Sequence, residues 1–424
     1  MKHKSEAGEI SPVFFIQGGY LVNSCKIKEK VLLGIVSIIV GVITGVLTSF
    51  FGQVLLKVSD LRVEYFGYLI PFLAVVGFLF HTVYLKYGKN AVEGMNIVFR
   101  IGQGEDNRIS KWLIPFMMIG TWLAHLFGAS VGREGVAVQL GATVANQFQQ
   151  WFSSKRNRQI LLIIGMASGF AGLFGTPLAA TFFAIEVLIV GQLQIDALFY
   201  ALLSSFISMN VAQSLGLEKF MVGIPVDIQF DETLLKMLVL GIAFGLTGRL
   251  FSVSLAYLKK YWSTKIPSPT LRIFLLGIVV SILIAAFGSG RYAGLGTNLI
   301  HASFYSETIY VQDWILKLGL TVFSLSAGFL GGEVTPLFSI GSSLGIVMSS
   351  WLGISPMVAA ALGYGAVFGS ATNTWLAPIF IIGEVFGYSM MPYAAIVCIV
   401  AFVVNGNDSI YGQQKIFELE SIER

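Results

Sequence analysis

Gly132-Arg133-Glu134-Gly135-Val136 places a carboxylate between two glycines, directly ahead of an apolar stretch that continues to about Ala145. The pattern predicts a helix beginning at the glutamate. A helix N-terminus carries roughly half a positive charge and several unpaired N–H groups, so it attracts anions. An ionised Glu134 can fill that anion site with its own carboxylate; once protonated, it can withdraw. One side chain would then serve as both gate and proton carrier. The plainer alternative is a capping carboxylate at a membrane surface. Burying a charge at the centre of a membrane helix costs about 2.5–3.5 kcal/mol even on the insertion scale, so an intramembrane glutamate calls for a function.

Other chemistry-bearing residues form no catalytic set. Neither HExxH nor a paired-aspartate pattern occurs, which argues against a membrane-embedded enzyme. His3, His81, His125 and His301 are scattered and read as packing or interfacial residues rather than metal ligands. Cys25 and Cys398 lie far apart in no metal-ligand spacing and read as two free thiols. Glu186 and Glu384 are expected to be structural. No cofactor is expected.

The elements that hold Glu134 must work in lipid. Of 424 residues, 55% are hydrophobic and only 12% charged, with mean hydropathy +0.78, whereas a soluble domain holds about 25% charged residues. The net charge of +4 is too small for a nucleic-acid partner and fits basic cytoplasmic loops. The first ten residues hold two glutamates before any apolar run, which argues against a cleaved signal peptide. Residues 1–30 read as a cytoplasmic leader with a short amphipathic helix. Full spans are predicted at Val31–Leu56, with a break around Gly45, and at Tyr68–Tyr84. Shorter apolar segments follow at 112–128, 134–147, 160–174, 177–190 and 195–215, then 233–258, 271–287, 312–330, 336–352, 356–370, 375–388 and 391–404. Many fall below the roughly 20 residues that cross the hydrocarbon, so they are predicted to be tilted or broken helices around a midplane site. Basic clusters at Lys26–Lys30, Lys155/Arg156/Arg158 and Lys259/Lys260/Lys265 predict one shared cytoplasmic side, which the tail from Gln413 should join.

Residues 165–187 laid over 363–385 align Gly165 with Gly363, Phe170 with Phe368, Thr176 with Thr374, Leu178-Ala179 with Leu376-Ala377, Phe182 with Phe380 and Glu186-Val187 with Glu384-Val385. With a one-residue slip, Gly132-Arg133-Glu134 falls on Gly331-Gly332-Glu333. Such a repeat suggests a pseudo-two-fold transporter with its site at the repeat interface. The expected division is leader 1–30, repeats 31–215 and 216–404, and a C-terminal segment 405–424.

Gly132–Val136 resembles the GREGP signature of the CLC family of chloride channels and anion/proton antiporters, with Val136 in place of the proline. Gly94-Met95-Asn96-Ile97-Val98 stands where that family has GSGIP, Gly332-Glu333-Val334-Thr335-Pro336 where it has GxFxP, and Tyr411 where it has an anion-coordinating tyrosine. The resemblance runs from the first span to Tyr411 and matches the compact bacterial form without a CBS tail. It implies an all-α membrane fold of two inverted repeats and a homodimer with one pathway per subunit. Three departures resemble the fluoride/proton antiporter branch: Met95 replaces the chloride-coordinating serine, Val334 between Glu333 and Thr335 replaces a phenylalanine, and Val187 stands where exchangers carry an intracellular proton glutamate. The expected site is therefore Glu134 and Glu333 for gating and proton transfer, with Met95, Asn96, Gly135, Val136, Val334, Thr335 and Tyr411 around the anion. Arg133 is not expected to touch the substrate. The expected partners are fluoride, protons, a second copy and the lipid of the cytoplasmic membrane, with chloride transport as the alternative. Fluoride is small and strongly hydrated, so it needs strong donors such as Thr335, Tyr411 and backbone N–H groups.

Overall fold

The computed structural model describes residues 13–16, 20–105, 108–225, 230–305 and 307–417, the side chains of 13–27 and 230–233 excepted. A first helical series comprises α1 (Ser24–Glu64), α2 (Phe66–Leu69), α3 (Leu73–Tyr87), α4 (Met95–Gly102), α5 (Leu113–Leu126), α6 (Glu134–Asn146), α7 (Lys155–Phe174), α8 (Pro177–Glu186) and α9 (Leu198–Ser214). A second comprises α10 (Phe230–Lys265), α11 (Pro269–Ala286), α12 (Thr297–Phe304), α13 (Asp313–Ala327), α14 (Val334–Leu352), α15 (Pro356–Thr372), α16 (Leu376–Phe386) and α17 (Met391–Asn405). The series correspond in order: the very long α1 and α10 open them, α4 matches α12 at 8 residues each, and α6 to α9 match α14 to α17. Eight helical segments among the described residues are long and apolar enough to cross a membrane. Val31, Ile35, Val42, Val46 and Phe50 lie exposed along α1, an apolar outer face suited to lipid.

The break expected around Gly45 is absent, and α1 runs for 41 residues without interruption. Gly45 and Gly41 instead let α1 lie against α9. A Cβ on Gly45 would stand 2.7 Å from the Ser208 carbonyl oxygen, and one on Gly41 2.9 Å from that of Ser204. Two glycines one turn apart are a packing device in membrane helices, which is why the sequence signal was misread. The same device holds α6 to α7 and α14 to α15. A Cβ on Gly141 would lie 2.0 Å from the Gly165 carbonyl oxygen, and one on Gly341 2.0 Å from that of Gly363.

One further expectation needs correction, the single helix over 177–190; the short helix expected in the leader falls in large part on residues outside the described ones. Val13–Ile16 pairs antiparallel with Tyr20–Asn23, as suits their β-branched and aromatic content, and Ser24 already opens α1; residues 1–12 and 17–19 lie outside the described ones. The run 177–190 is not one helix. Helix α8 ends at Glu186, and Ile189–Val190 pairs in parallel with Lys415–Ile416.

Equivalent residues of the two series meet face to face, as an inverted two-fold requires. Gly132 and Gly332 exchange both backbone hydrogen bonds, at 2.5 and 2.7 Å. Phe182 stacks on Phe380 with ring centroids 4.1 Å apart and planes 4° from parallel. Glu186, at the end of α8, accepts from the backbone N–H groups of Trp375, Leu376 and Ala377 at the start of α16. Glu384, in the last turns of α16, accepts from Leu178 and Ala179 at the start of α8. Each short helix thus caps the other. Near Glu134 the sequence register is one residue off. The N-cap residues of α6 and α14 are Arg133 and Glu333, so these two occupy equivalent places.

The basic clusters gather at one end. Asn157, in the first turn of α7, bonds Glu29 near the start of α1. Gln103 donates to the Gln413 carbonyl at 2.5 Å, and Lys259 lines a cavity together with Tyr411. At 1.5 Å per residue α1 is about 60 Å long, so its far end marks the opposite face.

Candidate functional site

Beneath the Gly132–Gly332 bridge the starts of α6 and α14 converge from opposite series. Neither receives a side-chain cap from its own N-cap residue. Glu134 crosses between them. Its Oε2 accepts from the Thr335 backbone N–H at 3.1 Å and from the Thr335 hydroxyl, and from the Arg133 N–H at 3.3 Å. The carboxylate is fully buried, and Oε1 lies 3.5 Å from Arg133 Nε with no hydrogen-bond partner. It sits where the N-terminus of α14 would hold an anion. At the start of α14 Glu333 is the N-cap residue, Val334 begins the helix, and Thr335 and Pro336 follow. Arg133 is Glu134's ion-pair partner, a role the sequence did not reveal.

Toward the basic end lies a cavity of about 220 Å³ lined by, among others, Met95, Gln139, Lys259, Glu333 and Tyr411. Glu333 is half-buried, and its Oε2 lies 3.5 Å from where a Cβ on Gly135 would be. The carboxylate thus hangs over the start of α6 while Glu134 reaches the start of α14. Met95 opens α4, half-buried in the cavity wall; Asn96 beside it is exposed. Tyr411 is buried, and its hydroxyl has no partner. Its ring lies 4.9 Å from that of Phe99. Gly135 lines the cavity, whereas Val136 and Val334 are buried in the first turns of α6 and α14 and are not among its lining residues. The structure thus brings Glu134 to Thr335 and gathers Glu333, Met95, Asn96, Gly135 and Tyr411 around one cavity.

On the opposite face a second cavity, of about 450 Å³, is lined by Arg62, Arg291 and Asn298 among others. Hydrogen bonds to Asp313 hold the Arg291 guanidinium above its ordinary pKa. Behind this cavity Lys317 is wholly buried. Its ammonium donates to Ser130 Oγ at 2.8 Å, the Gly294 carbonyl at 2.7 Å and the Tyr292 carbonyl at 3.1 Å. All three acceptors are neutral. Sequence reasoning missed Lys317 and Gln139. A lysine inside the apolar segment 312–330 was a signal for the first; nothing in the local pattern marked the second. The spacing Gly341-Ser342-Ser343-Leu344-Gly345 matches a GxSxG pattern but lies inside α14, not on the strand-to-helix turn that a nucleophilic serine needs. His125 is a core residue with Nδ1 2.8 Å from the Thr121 carbonyl oxygen, and Cys398 is a buried free thiol.

The family model described as voltage gated chloride channel matches residues 72–406. The chain belongs to this CLC family. A relative from Pseudomonas syringae pv. tomato, named a chloride/fluoride channel protein, is 37% identical over 82% of this chain and 79% of its own length. The H(+)/Cl(-) exchange transporter of Vibrio cholerae is 25% identical over 86% of this chain and 84% of its own. Among solved structures, a CLC-type fluoride/proton antiporter superposes with a TM-score of 0.90 at 49% identity, covering 92% of this chain and 99% of that one. A slow cyanobacterial Cl-/H+ antiporter superposes at 0.76 with 23% identity, over 89% and 96% of the two chains, a likeness of fold. The paired series of broken helices is thus the CLC fold, and the Glu134–Thr335 junction is where two of its helix starts meet.

Proposed function

We propose that this CLC protein exports fluoride across the cytoplasmic membrane in exchange for protons. One observation carries the reading: the buried Glu134 carboxylate occupies the N-terminus of α14, held by the Thr335 N–H and hydroxyl. A carboxylate there and a halide compete for the same donors. Protonation removes the charge that binds Glu134, so the side chain leaves and fluoride takes the Thr335 donors. Glu333, at the inner cavity, collects the proton and passes it toward the basic, cytoplasmic end. Arg133, beside Glu134, is the base nearest the junction. Met95 at the cavity wall and the 49% identity to a fluoride/proton antiporter support fluoride as the anion. The working unit is a homodimer with one pathway per subunit, as the family resemblance suggests.

Purified protein in liposomes tests this, with a fluoride electrode and a proton-sensitive dye read together and chloride as the comparison ion. The parent protein is expected to move protons against fluoride and to favour fluoride over chloride. Glu134→Gln is expected to abolish proton coupling. Normal coupled exchange by Glu134→Gln refutes the mechanism, and equal chloride flux refutes the selectivity.

A further inference from the structure

We propose that Gln139 is an anion ligand of the inner cavity, donating its carboxamide N–H to the transported ion and setting the preference for fluoride over larger halides. The inference deepens the fluoride/proton reading and rests on it. Gln139 sits on the inner part of α6, 5% exposed, and lines the cavity with Met95, Glu333 and Tyr411. Its Oε1 is buried without a hydrogen-bond partner. A buried polar group left open is otherwise rare.

Its surroundings explain what the opening is for. Oε1 lies 3.6 Å from where a Cβ on Gly94 would stand, beside the start of α4, whose N-cap Gly94 offers no side-chain cap. The Tyr411 hydroxyl, also buried and unpartnered, faces the same cavity. A carboxamide oxygen directed at the N-terminus of α4 points its two N–H donors into the remaining space. Tyrosine O–H and amide N–H are then two donors lining one cavity. Fluoride shed of its hydration water needs such short, directed donors more than chloride does. Were Gln139 merely filling space, an apolar residue of similar length would do so without an open polar group.

Gln139→Met, of similar length but without the amide, tests the proposal in the full-length protein reconstituted in liposomes. The half-saturating fluoride concentration is expected to rise about tenfold or more, the loss typical of one hydrogen bond to an ion. Chloride half-saturation should barely move, so the fluoride-to-chloride ratio falls. Unchanged fluoride half-saturation overturns the proposal, as does an equal loss for both ions, which marks a packing or hydration role. If Gln139→Met does not yield monodisperse protein, Gln139→Glu decides, because it keeps the shape and replaces the donors by a negative acceptor; wild-type fluoride half-saturation in that variant overturns the proposal too. If the parent shows no fluoride-linked proton movement, the proposed function fails on that result alone. Gln139 is then judged by the change in half-saturation for the anion the parent does carry.

Discussion

Replacing Glu186 by alanine separates a structural carboxylate from a proton-carrying one. The side chain is 4% exposed and accepts from three consecutive backbone N–H groups: Trp375 at 2.6 Å, and Leu376 and Ala377 at 3.2 Å. These are the unpaired donors of the α16 N-terminus. Removing their acceptor leaves donors buried among apolar side chains, at about 1–3 kcal/mol for each one that finds no substitute. It also removes a negative charge from the positive helix end, a further 0.3–1 kcal/mol roughly. Allowing one or two donors to be rescued by a shifted backbone or a water, the loss is about 2–4 kcal/mol. Glu384→Ala removes only two such bonds, to Leu178 at 3.1 Å and Ala179 at 2.9 Å, so it should lose less. Glu186→Gln keeps an acceptor and should lose least.

Unfolding midpoints in detergent, followed by intrinsic fluorescence, measure the ranking Glu186→Ala, then Glu384→Ala, then Glu186→Gln. The double alanine variant should lose less than the sum, because the two caps act on one helix pair around the Phe182–Phe380 stack. The opposite pattern refutes the reasoning: an unchanged midpoint in Glu186→Ala, together with loss of proton movement in Glu186→Gln. Glu186 would then be a proton carrier.

Other predictions concern the junction itself. Thr335→Val deletes the hydroxyl that holds Glu134 but keeps the backbone N–H. Because a hydrogen bond to a charge is worth about 1.5–3 kcal/mol, the carboxylate should be released more readily and the proton-to-fluoride ratio should fall; an unchanged ratio in liposomes counts against Thr335 as the latch. Lys317→Met takes the buried donor away from Ser130 Oγ and the Tyr292 and Gly294 carbonyls, so the unfolding midpoint in detergent should fall, by about 1–3 kcal/mol for each acceptor that finds no substitute; an unchanged midpoint counts against Lys317 as a structural donor.

Much of this was legible from residues whose chemistry is local. Glu134 between glycines announced a helix start, and the charged fraction announced lipid. The segment 165–187 repeated in 363–385 announced two series. What the sequence hid was contact. Gly45 looks the same whether it breaks a helix or lets α9 approach, and only the Ser208 carbonyl decides. Gln139 is a polar residue in a mostly apolar helix until Gly94 is brought beside it and Tyr411 into the same cavity. Lys317 finds its acceptors in Ser130 and in the Tyr292–Gly294 loop, neither of them near it in sequence.

The structural register changes how the two site glutamates relate. Were Glu134 equivalent to Glu333, the site would be a symmetric pair of acids, each closing its own side. The helix starts instead make Arg133 the counterpart of Glu333. At that shared place one series holds a base within 3.5 Å of Glu134, and the other holds an acid facing the inner cavity. A proton meeting Glu333 encounters a carboxylate that lines an open space; a proton meeting Glu134 must displace hydrogen bonds from Thr335. The two-fold scaffold supplies matching helix ends, and the exchange of base for acid at one equivalent position makes the two ends of the site chemically unlike. The gradients of the two ions set the direction of exchange; the difference between Arg133 and Glu333 sets which carboxylate meets which end of the site.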